Sequence, residues 1–213
     1  MPAFSQPVFD MQRVFRVVLD AMSRPARLCR LPVFPQSVPD GLSPVLAALA
    51  LTLCDGESPL WLSPGLRKDE TTTWLRFHCG CPIVEEADKA AFALVADASE
   101  LPPLSAFAQG VPAYPDRSAT VLLAGLAFDA GTRFRGSGPG ICGESTFTCT
   151  LPEDFAERGA RIRRASRSAW TCCCAAPTAW PVCRAPRALN VCLRRVRHVC
   201  SGQRWGKGHF RRP

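Results

Sequence analysis

Every side-chain carboxylate of this 213-residue chain lies before residue 158. Residues 1–158 hold thirteen Lys and Arg and all eighteen Asp and Glu, a net charge of −5. Residues 159–213 hold the other thirteen basic residues and no acid, a net charge of +13. A surface of one sign repels itself and disfavours a compact state. The break therefore bounds the fold: one domain over residues 1–158, long enough to bury about two thirds of its surface, and a tail over 159–213 that forms no domain. The cysteines divide at the same point. Cys29, Cys54, Cys79, Cys81, Cys142 and Cys149 are scattered through the body, and the other six crowd between Cys172 and Cys200.

The opening MPAFSQPVFD has neither a basic start nor a long apolar run, so no signal peptide is expected. The apolar run from Val45 to Cys54 is shorter than the roughly 20 residues needed to cross a bilayer. A cytoplasmic protein with reduced, mostly buried thiols is expected, with no membrane partner.

Along the body, hydrophobic period sets the elements. In DMQRVFRVVLDAMSRP, the residues Met11, Val14, Phe15, Val18, Leu19 and Met22 form a single helical stripe, with Asp10 as N-cap and Pro25 as the stop. SPVLAALALTLCDG has Ser43 placed as N-cap and Pro44 at the first helical position, and is apolar all round, which predicts a buried helix. PLWL is a short buried strand. TTTWLRFHCG is a helix ended by Gly80. AAFALVAD is a strand, LPPLSAFAQG a short helix, SATVLLAGLAF the longest strand, and GTRFRGSGPGI a short strand entering a glycine-rich turn. Strands alternating with helices predict an α/β fold with a mixed sheet flanked by helices.

Candidate chemistry is sparse. GSGPG, at 136–140, is either a structural turn or an anion-binding turn through Gly138 and Gly140. It matches neither common phosphate-loop pattern, and Pro139 lacks an N–H. His78, beside Cys79 and Cys81, is a structural histidine, an anion ligand or a catalytic group. A zinc site there lacks a fourth ligand and the usual spacing, so no metal is expected. Arg16, Arg76 and Arg117 are candidate anion ligands, with Arg24, Arg133 and Arg135 behind them, because the guanidinium fork suits phosphate and phosphonate oxygens. No catalytic residue is assigned.

Five segments in order carry a resemblance: PVFDMQRVFRVVLDAMSRP, SPVLAALALTLCDGESPLWL, LRFHCGCPIVEEADKAAFALV, PDRSATVLL and GSGPGI. Over residues 7–158 they resemble the PhnH family of phosphonate-metabolism proteins, which form one of the subunits of the carbon–phosphorus lyase core complex. One departure is Ala26, where the family usually has glycine. The resemblance implies a fold similar to the large domain of pyridoxal-phosphate-dependent transferases, with no pyridoxal phosphate and no other cofactor. It also implies a homodimer that joins subunits G, I and J. The step implied couples methylphosphonate to the ribose of ATP, giving ribose 1-methylphosphonate 5-triphosphate with release of adenine. It identifies no catalytic residue.

The family ending, similar to PLGVDLLLV and then LPRTTR, is missing here. Reading the codons of the tail one base earlier restores it. Trp170-Thr171 then encodes Asp, the two Cys-Cys pairs of Cys172, Cys173 and Cys174 each encode Leu, and Trp180-Pro181 encodes Ala, whichever codons are used. The other positions permit GVDLLLRCADGLAGVPRTTR. The triple cysteine is thus read as the out-of-frame image of a Leu-Leu-Leu strand, with the slip near residue 158. Two rival readings of the tail are a basic nucleic-acid-binding extension with Trp170, Trp180 and Trp205, and a soft-metal site of cysteines. The functional alternative is then a non-catalytic, basic-tailed nucleic-acid-binding protein.

Overall fold

The computed structural model describes residues 2–111, 113–137, 140–152, 155, 171–178, 187–193 and 196–198. Helix α1 spans Pro7–Ser23, α2 Pro44–Leu53 and α3 Asp69–Cys79. The strands in chain order are β1 Cys29–Arg30, β2 Leu60–Leu62, β3 Ile83–Val84, β4 Phe92–Val95, β5 Gln109–Val111, β6 Tyr114–Ser118, β7 Thr120–Leu123, β8 Phe128–Ser137, β9 Glu144–Cys149, β10 Thr171–Thr178, β11 Arg187–Leu193 and β12 Val196–His198.

Seven strands form the main sheet in the order β1-β11-β10-β7-β4-β2-β3. The five from β10 to β3 run parallel, and β11 is antiparallel to both its neighbours. The mixed α/β architecture expected from the alternating pattern is therefore the one observed.

Alternation along each central strand divides the core into two layers. Leu60, Leu62, Leu94 and Leu122 face one side and pack with Val14, Val18, Leu46, Leu49 and Leu75 of the three helices. Trp61, Ala93, Val95, Val121 and Leu123 face the other. There they meet Leu104, Phe107, Phe134 and Phe147, carried by a 3-10 turn and by the small sheet β12-β8-β9. Both sheet faces are covered, which explains why β2, β4 and β7 read as continuous apolar runs.

The helices show where local signals succeed and where they mislead. Ser43 caps α2 as its sequence requires, accepting from the Val45 N–H at 3.3 Å, and Val45–Ala50 are all buried. Asp10 is not the N-cap of α1. The helix starts earlier, at Pro7 with Gln6 as cap, and Asp10 sits one turn inside. Its carboxylate accepts from the Gln6 N–H at 3.0 Å and the Ser5 hydroxyl at 3.1 Å. A carboxylate reaching back over the first turn satisfies the N–H of the cap residue itself, the role of the acidic partner in a capping box. The apolar stripe is also narrower than expected. Val14 and Val18 are buried, but Phe15 and Leu19 remain 43% and 49% exposed, because α2 covers only one side of α1.

The region after residue 100 departs further. LPPLSAFAQG holds only a single 3-10 turn at Leu104–Ala106, followed by β5; Pro102 and Pro103 supply no N–H for a longer helix. The long strand expected at 118–128 is four residues, Thr120–Leu123, cut off before Gly125 at φ +75°. The longest strand is β8, ten residues, paired with a β9 that the hydrophobic pattern does not mark.

Backbone pairing also reaches past residue 158. β10 lies parallel to β7 with Cys172, Cys173 and Cys174 opposite Val121, Leu122 and Leu123. β11 pairs with β10 and β1, and β12 with β8. A tail without regular elements was expected, and over these three stretches the structure differs. A ladder is built from N–H and C=O groups that every non-proline residue carries, so pairing alone does not require the side chains of a core strand. The rest of 159–213 lies outside the described residues.

Candidate functional site

The candidate anion ligands occupy separate elements. Arg16 is exposed midway along α1, and Arg76 and His78 stand in the last turn of α3. A cation at a helix C-terminus is stabilised by the negative end of the helix dipole, which is sufficient reason for Arg76. Arg117, on β6, lies over the Tyr114 ring at 4.3 Å. Arg24 pairs with Asp20 at 3.3 Å and Arg135 with Glu144 at 3.2 Å, while Arg133 is exposed on β8. Gly138 lies outside the described residues. Gly140 has φ +85°, and a Cβ there would run into the Ser23 carbonyl oxygen and come within 2.7 Å of Pro25 Cδ. The turn is therefore pressed against the end of α1, and that close approach accounts for the glycine.

The same corner explains Ala26. It has φ +67°, the one non-glycine residue at positive φ among those described. A left-handed backbone is where glycine is favoured and a Cβ is strained, and this is the position at which the resemblance implies glycine.

A second location comes from topology. The chain passes from β2 outward to β3, then returns to β4 on the other side of β2 and continues outward through β7. Such a reversal opens a crevice at the carboxyl ends of the two strands, the usual ligand site of open parallel sheets. Here Ser63 ends β2, fully buried, and its hydroxyl accepts from the Ala96 N–H at 3.1 Å at the end of β4. The same hydroxyl donates to the Glu100 carboxylate, which also accepts from the Gly65 N–H at 3.2 Å. The chain thus supplies a carboxylate of its own to the donors in this crevice. Arg67 closes the outer side, stacked on Trp61 at 5.4 Å and donating to the Leu62 carbonyl at 2.9 Å. None of the candidate residues marked in the sequence belongs to this group. Its one local signal is the Ser-Pro-Gly that follows the strand, and Glu100 lies 37 residues further on.

The third location is an open groove of about 610 Å³ between α3 and residues 37–39. Val38, Pro39, Trp74, Phe77 and His78 supply its walls, and Asp69 and Glu70 its acidic end. The 37–39 side is anchored by the Gln36 N–H donating to the Ala3 carbonyl at 2.8 Å. Of the candidate anion ligands the groove includes His78 alone. Burial pushes the His78 imidazole below its ordinary value, which makes it a weaker anion ligand near neutral pH.

Cys79 and Cys81 flank Gly80, whose φ of +68° ends α3. The neighbouring Cys81 thiol pushes Cys79 up, and the Cys79 thiol in turn holds Cys81 below its ordinary value. Burial raises Cys54 nearby. Among the described residues no group of three or more His, Cys, Asp or Glu is placed to hold a metal, and no helix is long and apolar enough to cross a membrane.

These features define an α/β domain with a mixed sheet covered on both faces. Comparison with known proteins makes the assignment specific. The family described as "Bacterial phosphonate metabolism protein (PhnH)" matches residues 2–166, and the chain belongs to that family. A relative from Rhizobium meliloti (strain 1021), the alpha-D-ribose 1-methylphosphonate 5-triphosphate synthase subunit PhnH, is 39% identical over 139 residues. The match covers 65% of this chain and 69% of that protein.

Proposed function

We propose that the chain is the PhnH subunit of a carbon–phosphorus lyase core complex and acts in organic phosphonate breakdown. The step is formation of ribose 1-methylphosphonate 5-triphosphate: a phosphonate oxygen bonds to C1 of the ribose of ATP as the bond to adenine breaks. The observation that carries this reading is the match of both the family and the Rhizobium meliloti synthase subunit to the body of the chain. As part of that complex it would act in the cytoplasm as a homodimer with subunits G, I and J. Its mixed seven-stranded sheet is compatible with a fold like that of the transferase large domain, without pyridoxal phosphate. Deletion of the in-frame gene should abolish growth on methylphosphonate as sole phosphorus source, and normal growth would sink the assignment.

The tail belongs to the same proposal. Residues 1–158 are the functional domain, and 159–213 is an out-of-frame ending. Two observations support this. The family match stops at residue 166. The strand carrying Cys172, Cys173 and Cys174 pairs with the apolar β7, the place where the alternative frame reads Leu-Leu-Leu. The nucleotide sequence around codon 158 tests it: an uninterrupted frame in an independently sequenced copy of the gene would overturn the reading.

A further inference from the structure

We propose that the groove between α3 and residues 37–39 seats a segment of a partner subunit that presents an arginine or lysine next to an apolar side chain. The inference rests on the reading of this chain as one subunit of an assembly. Phe77 is 75% exposed, the most exposed large apolar side chain among the described residues. The fold does not need it, since α3 meets the core through Thr71 and Leu75. An exposed aromatic that the fold does not need, set in a groove with a carboxylate end, is a candidate contact point for a partner.

The rings are also held in place. His78 lies 4.6 Å from Trp74 and edge-on to Phe77 at 4.9 Å. A braced aromatic surface loses little freedom when it is covered, which favours binding. At the end of the groove Asp69 and Glu70 form no ion pair with any described residue. Their place in the first turn of α3 already suits the helix dipole. As part of the groove wall they also favour a cationic visitor. A guanidinium satisfies both demands, pairing with carboxylate and stacking on Trp or Phe.

Charge argues against other occupants. Nucleic acid would bring phosphates to two carboxylates. A second copy seated here by a two-fold axis would meet the groove with the same patch, and the lining of that patch supplies no lysine or arginine to answer Asp69 and Glu70.

The test is co-expression of the full 213-residue chain with subunits G, I and J, followed by affinity capture and measurement of Kd for the subunit retained. Phe77→Ala should weaken capture on the order of 30-fold, the scale of an aromatic hot spot. Asp69→Asn with Glu70→Gln should weaken it about 10-fold and flatten its salt dependence. Phe77→Leu controls for folding, and should keep the melting temperature while recovering part of the affinity. Capture unchanged in all variants would overturn the inference and leave the functional reading standing. Capture of none of the three subunits, by the 213-residue chain and by the chain with its frame restored after codon 158 alike, would remove both. Loss of self-association in Phe77→Ala with capture intact would assign the groove to a second copy and overturn the proposal.

Discussion

β7 and β10 are neighbours in one sheet, parallel and in register over four residues, yet their sequences are TVLL and TCCCAAPT. β7 lies between two packed layers, with Val121, Leu122 and Leu123 all buried. β10 offers cysteines, alanines and a proline at the next place in the sheet. The two share what backbone hydrogen bonding requires and differ in the side-chain volume that a two-faced core requires. Pairing is permissive, and packing is selective.

The largest expected effect comes from giving β10 the sequence that its neighbours imply. If the tail is the out-of-frame ending proposed above, restoring the frame after codon 158 puts Leu-Leu-Leu in place of Cys-Cys-Cys and replaces the segment whose net charge is +13. Each leucine restored to a core is worth about 2 to 4 kcal/mol where the cavity does not collapse, against a total stability of about 5 to 15 kcal/mol. The restored chain should melt many degrees higher and capture subunits G, I and J more completely. Equal melting temperatures and equal capture would show that β10 as written is a native strand.

The next effect compares the strands directly. Leu122→Ala in β7 should cost about 3 kcal/mol, as for other large-to-small core changes. Cys173→Ala, opposite it in β10, should cost under about 1 kcal/mol, since it removes a single heavy atom. Denaturant melts of the two variants measure both. A loss at position 173 as large as that at 122 would place β10 in the core on equal terms.

Physical cause decides what could be read from the residues in advance. The body was legible where one local rule dominates: Ser43 and Pro44 opening α2, Gly80 closing α3, and the apolar runs of β2, β4 and β7. It was illegible where distant groups compete. The start of α1 moved because Asp10 reaches back to Gln6, and the exposure of Phe15 and Leu19 reflects which face α2 covers. The groove residues Trp74 and Phe77 read as ordinary helix, since exposure is a tertiary fact. Ser63 and Glu100 meet only through the crossover from β2 to β4. The candidate arginines were marked by side-chain chemistry alone, and that says nothing of convergence. Of those described, most are solvated, paired or stacked on their own elements.

A smaller effect sits at the corner where α1 meets the glycine-rich turn. Ala26→Gly should raise stability by about 0.5 to 1 kcal/mol, because relief of left-handed strain outweighs the added freedom of the unfolded chain. That is a melting-temperature gain of about 2 °C. Glycine at a position whose φ was not positive would destabilise instead, so a lower melting temperature would refute the strain.

The smallest effect uses the charge division itself. Every side-chain carboxylate is in the body, so side-chain acid titration below pH 5 reports on the body and not on the tail. Asp97 follows β4, and its carboxylate accepts from the Ser99 N–H at 2.8 Å and the Ser99 hydroxyl at 2.7 Å. These bonds, the backbone one foremost, hold it below the usual carboxylate value of 3.8. A carboxyl whose folded pKa is depressed stabilises the fold above its unfolded value, and loses that contribution as pH falls through its folded value. Asp97→Asn removes the charge and keeps an acceptor. The melting temperature of the variant should therefore sit slightly below that of the parent from pH 8 to 5, and the gap should close as both are taken below pH 4. The side chain is largely exposed, so salt should shrink the gap further. A gap that stays constant through this range would show that Asp97 acts by hydrogen-bond geometry alone. The same titration applied to the frame-restored chain should leave the Asp97 gap unchanged, since parent and variant then share one tail and differ only at position 97, in the body.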